Sequence, residues 1–433
     1  MMNCCRKIAL LGASVWDGLQ DTLRPATVLI EDRKIAGILP PGAAPEEYEP
    51  VSLFGKYIIP GLFEMHGHFY GRATRAMRSQ HAAYCPLYLA GGITTVRTPG
   101  EFEPFVTLQW KQEIEAGRAI GPRILSACSY FDQQPSIVGW IEGNASEKEI
   151  RDKYCAWRDK MDFVKVYSNT PKEWIAMLAD MAHRDGLKVY GHLGRCPASD
   201  ALDAGIDGLE HGFFTMSEFY QSPDPHVQNQ SLVSFDPDGP AALAVVEKIL
   251  EKNAAVTPTT ITFMLAGKQY TDRIDAVDGW CYLCAEALEH QRVLRAEWDA
   301  QAGEVLLQQE LVEKQYRFIS HIVHGGGRVF CGTDPSYPLI TPGFALVWEA
   351  ENLVRCGMSS AQILRALTSE AAKEMNVFTV TGSIEAGKEA DLCVLNQNPF
   401  DSISHLSSVF QVYKGGRAFT PETLRASAVG MMK

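Results

Sequence analysis

The sequence predicts an α/β protein built on a barrel of eight parallel strands, with β-rich segments at both ends. Three observations predict it. From about residue 58 to residue 376, short apolar runs alternate with longer amphipathic stretches, and that alternation builds parallel βαβ units. Eight such apolar runs occur, the number that closes a parallel barrel. Both termini instead carry short β runs separated by Gly- and Pro-rich turns.

Taken in order, residues 26–38 read as two β runs around the charged turn Asp32-Arg33-Lys34, a hairpin pattern. The opening barrel strand is expected within the apolar run 57–63. Later strands are expected at 93–97, 122–128, 163–167, 187–192, 205–211, 255–259 and 328–333, the second to sixth each preceded by a helical segment. Residues 213–240 are polar and Pro/Asp-rich, which predicts a loop. Residues 262–310 have a helical composition, with Tyr270, Trp280, Tyr282 and Trp298 among them. Both insertions fall in β→α connections, on the barrel face that carries active sites. The second suits either a lid or a contact between copies of the chain. The tail resumes β patterning at 390–395 and 409–419.

Composition bounds the function. The chain has 433 residues, 46% hydrophobic and 21% charged, with a formal net charge of -12. No Lys/Arg run is long enough for a nucleic-acid footprint, and no apolar stretch approaches the ~20 residues of a membrane helix. The apolar piece near the N-terminus lacks a clear cleavage site and reads as a strand rather than a signal peptide. The 11 cysteines are scattered and odd in number, unlike a disulfide framework. Cys281-x-x-Cys284, with no second pair, reads as one helix face. A cytoplasmic protein with reduced thiols and a small-molecule substrate is expected, with homo-oligomerisation left open.

The chemistry concentrates at strand ends. His66-Gly67-His68 follows the first apolar run, and residues two apart on a strand share a face. Two imidazoles so placed can grip one zinc-like ion, and Gly67 allows a close backbone approach. Lys165 sits in an apolar strand where alternation aims it inward. It is either a lysine at a barrel mouth paired with an acid, or an amine that has reacted with carbon dioxide to give an anionic carbamate. His192 and His211 close the fifth and sixth strands, and Asp334 closes the eighth. Singly, each histidine reads as a core imidazole and Asp334-Pro335 as a turn. Together His66, His68, Lys165, His192, His211 and Asp334 are too many for one tetrahedral ion and suit two divalent ions.

The stretches 58–68, 91–97, 204–212, 332–334 and 382–395 resemble the amidohydrolase superfamily, in its imidazolonepropionase-like and prolidase-like branch. The resemblance runs nearly end to end. It implies a (β/α)8 TIM-type barrel over 58–379 and a small composite β-sandwich from 1–57 and 380–433. It also implies two ions: His66, His68 and Asp334 on one, His192 and His211 on the other, and carboxylated Lys165 between them. The mixed His and oxygen donors suit zinc, with manganese, cobalt or iron also fitting. A bridging hydroxide would then attack the scissile carbonyl, with Asp334 carrying the proton to the leaving nitrogen. Tyr167, on the inward face of Lys165, and Arg195, suited to a carboxylate, are candidate substrate contacts.

The expected reaction is hydrolysis of an amide in a dipeptide, N-acyl amino acid or cyclic amide. Lactone or carbamate-ester hydrolysis uses the same attack. Heterocycle deamination is disfavoured, because the residue three after His192 is Arg195 rather than a glutamate. An inactive metal-binding homologue is disfavoured because all six positions are filled.

Overall fold

The computed structural model describes residues 6–71, 76–220, 231–264, 273–277, 279–299, 302–335 and 340–433. Eight barrel strands occur in it: Leu62–Glu64, Ile93–Thr98, Arg123–Ser126, Val164–Val166, Val189–Gly191, Gly208–Glu210, Ala255–Thr257 and Arg328–Val329. Their hydrogen-bonded neighbours follow chain order, and every pairing is parallel. The strand residues are almost all buried on both faces, as expected when helices cover a parallel sheet.

The third strand is broken. Arg123–Ser126 pairs with the second strand, whereas Tyr130–Phe131 pairs with the fourth. Between them Cys128 takes a left-handed φ of 58°, so one stretch of chain serves two sheets. On the other side, the Met65 amide donates to the Cys331 carbonyl at 3.0 Å and the Asp334 amide to the His66 carbonyl at 2.7 Å. These bonds set the end of the eighth strand beside the end of the first.

The run 57–63 is two strands rather than one. Tyr57–Pro60 belongs to an eight-stranded sheet made by both termini, in the order Arg417–Phe419, Val409–Lys414, Leu392–Leu395, Tyr57–Pro60, Lys7–Val15, Arg24–Glu31, Lys34–Leu39, with Glu49–Ser52 also paired to Lys7–Val15. After Gly61, Leu62–Glu64 joins the barrel. Periodicity shows no seam here, because both halves are apolar and buried. The hairpin expected at 26–38 forms from Arg24–Glu31 and Lys34–Leu39, with Asp32 at positive φ in its turn.

Of the two insertions, 212–219 forms short 3-10 turns and 221–230 lies outside the described residues. The second is largely helical, with Ala285–Asp299 leading to Ala302–His324; Tyr270 lies outside the described residues, and of Trp298 only the helix is described. Cys281 lies in the 3-10 turn Gly279–Tyr282 and Cys284 just before the following helix, so the two do not share one helix face. All nine described cysteines are free. Among the described residues no helix is long and apolar enough to cross a membrane.

Candidate metal centre

The six predicted ligands stand past the ends of four strands or within a fifth, all toward the C-terminal side of the barrel. His66, His68, Lys165 and His211 are buried, His192 partly so, and the Asp334 side chain is 15% exposed. Ligand atoms of His66, His211 and Asp334 lie within 4.8 Å of one another. His68 Nε2 is 3.3 Å from Asp334 Oδ1, and the His192 ring is 4.5 Å from that of His211. His66, His211 and Asp334 thus form a group of three ligand atoms close enough to hold one ion, with His68 and His192 beside it.

Local geometry explains how they converge. His66 and His68 lie just past the first strand, their rings 5.3 Å apart and nearly perpendicular. A Cβ on Gly67 would come within 2.5 Å of Val96 Cγ1, and one on Gly332 within 2.6 Å of His66 Cβ, so glycine is required at both. His211, Thr259 and Asp334 adopt left-handed φ of 66°, 44° and 50° at the ends of the sixth, seventh and eighth strands. A β-branched residue such as Thr259 is strained there, and strain of this kind clusters at functional sites.

Each of three imidazoles is held through Nδ1. His68 Nδ1 donates to the Gly100 carbonyl at 3.0 Å. His66 Nδ1 is 2.6 Å from Glu210 Oε2, and His211 Nδ1 is 2.7 Å from the Thr259 hydroxyl. This leaves Nε2 of each ring for the cluster, the arrangement that partners behind a metal ligand usually impose. Burial drives His66 down to about 4 and His192 and His211 well below the ordinary value. These rings are neutral at neutral pH and carry the lone pair a cation needs. Burial would raise the Asp334 carboxyl, but the hydrogen bond to His68 and the neighbouring imidazoles hold it far below the usual range.

Lys165 is the most telling group. Its ammonium nitrogen is buried with no hydrogen-bond partner among the described residues, a costly state for an amine in an apolar strand. Burial lowers it to about 8, opposed by Glu210 and reinforced by Arg97. Neutral nitrogen donors, an anionic carboxylate and an unsatisfied amine facing them fit a divalent-metal centre.

Tyr167 stands at the mouth, its ring 4.6 Å from His192 and 5.2 Å from Tyr130. Tyr70, Tyr130 and Phe102 gather edge-on around Trp140 beside it. Arg195 is exposed and donates to Gln133 Oε1 at 2.5 Å. The sequence reading passed over Glu210, Arg97 and Glu64, although each lies within or beside a quoted stretch. Glu64 receives the amides of His66 and Thr333 at 3.0 and 2.9 Å, tying the first strand's end to the eighth's. Burial raises its carboxyl to about 7. The signal available was a charged residue inside a strand otherwise read as buried.

A cavity of about 370 Å³ lined by Lys188, Arg328 and Glu374 lies at the opposite end, where the fifth and eighth strands begin. It is remote from this chemistry.

The parallel α/β barrel carries at its C-terminal mouth, where barrel enzymes place their active sites, a His/His/Asp cluster able to hold a metal ion. The chain belongs to the Amidohydrolase family, whose model matches residues 57–419. No curated protein matches it in sequence. Among solved structures it is similar to a prolidase-like protein from Bifidobacterium longum, with 23% identity, TM-score 0.69, and 98% and 99% of the two chains covered. It is similar also to an Xaa-Pro dipeptidase with bound methionine, at 19% identity and TM-score 0.70, covering 96% and 100%. A third is bottromycin amidohydrolase, at 20% and 0.72, covering 98% and 89%.

Proposed function

We propose that this enzyme hydrolyses an amide C–N bond in a small substrate, such as a dipeptide, an N-acyl amino acid or a cyclic amide. The observation that carries the reading is the convergence of His66, His211 and Asp334 beside the unpartnered amine of buried Lys165. His66, His68, His192, His211 and Asp334 would hold two divalent ions between them, zinc being the ion this donor set suits. Lys165, as its carbamate, would supply a shared anionic ligand; its lowered pKa leaves a fraction of free amine to capture carbon dioxide near neutral pH. When bound, the ions polarise the scissile carbonyl and activate water.

The chain's own groups do the rest. Asp334 is ionised and placed to accept a proton on its carboxylate and return it to the leaving nitrogen. The Nδ1 partners keep the imidazoles from turning during turnover. The ring of Tyr167 and the aromatic group around Trp140 line one side of the mouth and limit water there. Amide cleavage also accords with the names of the dipeptidase and amidohydrolase to which the fold is similar.

The test is metal analysis with a substrate panel. Protein reconstituted with zinc and bicarbonate is assayed on dipeptides, N-acyl amino acids and cyclic amides, alongside matched esters and lactones. Two ions per chain and turnover of amides, abolished by a chelator and restored by zinc, is the expected result. Turnover of lactones alone, or amide turnover indifferent to the chelator, overturns it.

A further inference from the structure

Arg97 and Glu210 form an ion pair sealed inside the barrel, their side chains 1% and 0% exposed. Barrel interiors are ordinarily filled by branched aliphatic side chains. Removing two charges from water costs about as much as their attraction returns, so such a pair is a poor device for stability alone. Its surroundings show a different use. Glu210 Oε2 is 2.6 Å from His66 Nδ1, while Oε1 accepts from Arg97 Nη2. Arg97 Nε donates to the Met65 carbonyl at 2.5 Å, one residue before His66. The guanidinium lies over the Tyr190 ring at 4.4 Å, and the Tyr190 hydroxyl donates to Glu374 at 2.6 Å. Lys188 and Arg328 hold the other oxygen of Glu374. Arg97 is thus fixed on several sides, and the pair restrains both the ring and the backbone at His66.

We propose that Arg97 and Glu210 are positioning residues of the metal centre: Arg97 fixes Glu210, and Glu210 fixes His66 with Nδ1 protonated and Nε2 turned to the ion. The proposal rests on the reading of the cluster as a metal site and deepens it. A carboxylate only accepts, so the His66 tautomer is set by its partner. Behind His68 the partner is a neutral carbonyl, and behind His211 a neutral hydroxyl. His66 alone of these three has a carboxylate behind it, an acceptor-only partner that fixes its tautomer.

Zinc affinity of the metal-free full chain, measured by competition with a chromophoric chelator, tests this in Glu210→Gln and Arg97→Lys. Melting curves and circular dichroism of the same samples report the fold. Glu210→Gln is expected to weaken zinc binding by about 10- to 100-fold, with Arg97→Lys between it and wild type. A purely structural pair would lower the melting temperature and leave zinc affinity of the folded protein unchanged, which overturns the proposal. Should Glu210→Gln not fold, crystals of zinc-loaded wild type decide. An anomalous peak on His66 Nε2, with Nδ1 still on Glu210, supports the assignment, and an ion on Nδ1 refutes it. Wild type without zinc at the cluster overturns the metal reading itself, whereas normal affinity in Glu210→Gln overturns only the positioning role.

Discussion

Replacing Lys165 with methionine separates what the lysine costs the fold from what it does for the centre. The amine is buried and unpartnered, and its pKa falls from the ordinary 10.5 to about 8. At about 1.4 kcal/mol per pH unit, the fold carries a penalty of roughly 3 kcal/mol for holding this group charged. The sign follows from linkage: the unfolded chain binds the proton more tightly. The penalty is complete below pH 8 and fades as pH rises toward 10.5. Methionine fills a similar volume without charge. Metal-free, bicarbonate-free Lys165→Met protein should therefore be more stable than wild type at pH 7 by about 3 kcal/mol, and the gap should close by pH 10. Urea unfolding followed by tryptophan fluorescence at pH 7, 9 and 10 measures it. With zinc and bicarbonate the order should invert, because ligand at ~1,000 times its Kd adds about 4.1 kcal/mol to the form that binds it. The variant should then lose activity by roughly 100-fold or more. A variant less stable than wild type at pH 7, with a pH-independent gap and full metal content, would mean that Lys165 is a paired structural lysine.

Other perturbations address the site and its support. Asp334→Asn should lower kcat by roughly 10²- to 10⁴-fold with an unchanged circular dichroism spectrum, and more than a tenth of wild-type activity would remove Asp334 from proton transfer. Gly332→Ala places a Cβ 2.6 Å from His66 Cβ; thermal unfolding should show a loss of about 1–3 kcal/mol, with weaker zinc binding in a chelator titration. His81 stands apart from the cluster, stacked between Phe69 and Trp110, and burial lowers it to about 3. Its folded pKa lies below the unfolded one, so it contributes stability above pH 6.5 that is lost as pH falls toward 3. The stability advantage of wild type over His81→Gln should shrink between pH 7 and pH 4, by up to about 1.4 kcal/mol per pH unit. A constant difference in denaturant midpoints across that range would show that folding leaves the ring's pKa unshifted.

The strand ends were legible because imidazoles stand out against apolar runs. His66, His68, His192 and His211 each interrupt a stretch that is otherwise ready to be buried. The support behind them was not. Arg97 ends a run of β-branched residues and Glu210 precedes a histidine, and either reads equally well as a solvent-facing charge. Only the three-dimensional approach of the second and sixth strands to the first makes them a pair. The seam at Gly61 was hidden for the opposite reason. Hydrophobicity reports burial but not in which sheet a strand is buried, so Tyr57–Pro60 and Leu62–Glu64 looked like one element. The break at Cys128 is a matter of one dihedral angle, which no periodicity records. Arg195 shows the limit for loops: guanidinium chemistry was legible, but its engagement with Gln133 was not.

The pairing of Tyr57–Pro60 with Leu392–Leu395 has a consequence for how the protein is made. The strand leading to the first two histidines gains this partner only after about 330 further residues have left the ribosome, on the order of 20 to 60 s at usual elongation rates. The Met65 and Asp334 amides likewise wait on contacts between the beginning and end of the barrel. During that interval His66 and His68 hang from an unfinished edge, free to meet ions of any kind. Assembly of the cluster is thus a late event of biosynthesis, completed only when Asp334 and the strand Leu392–Leu395 have been made.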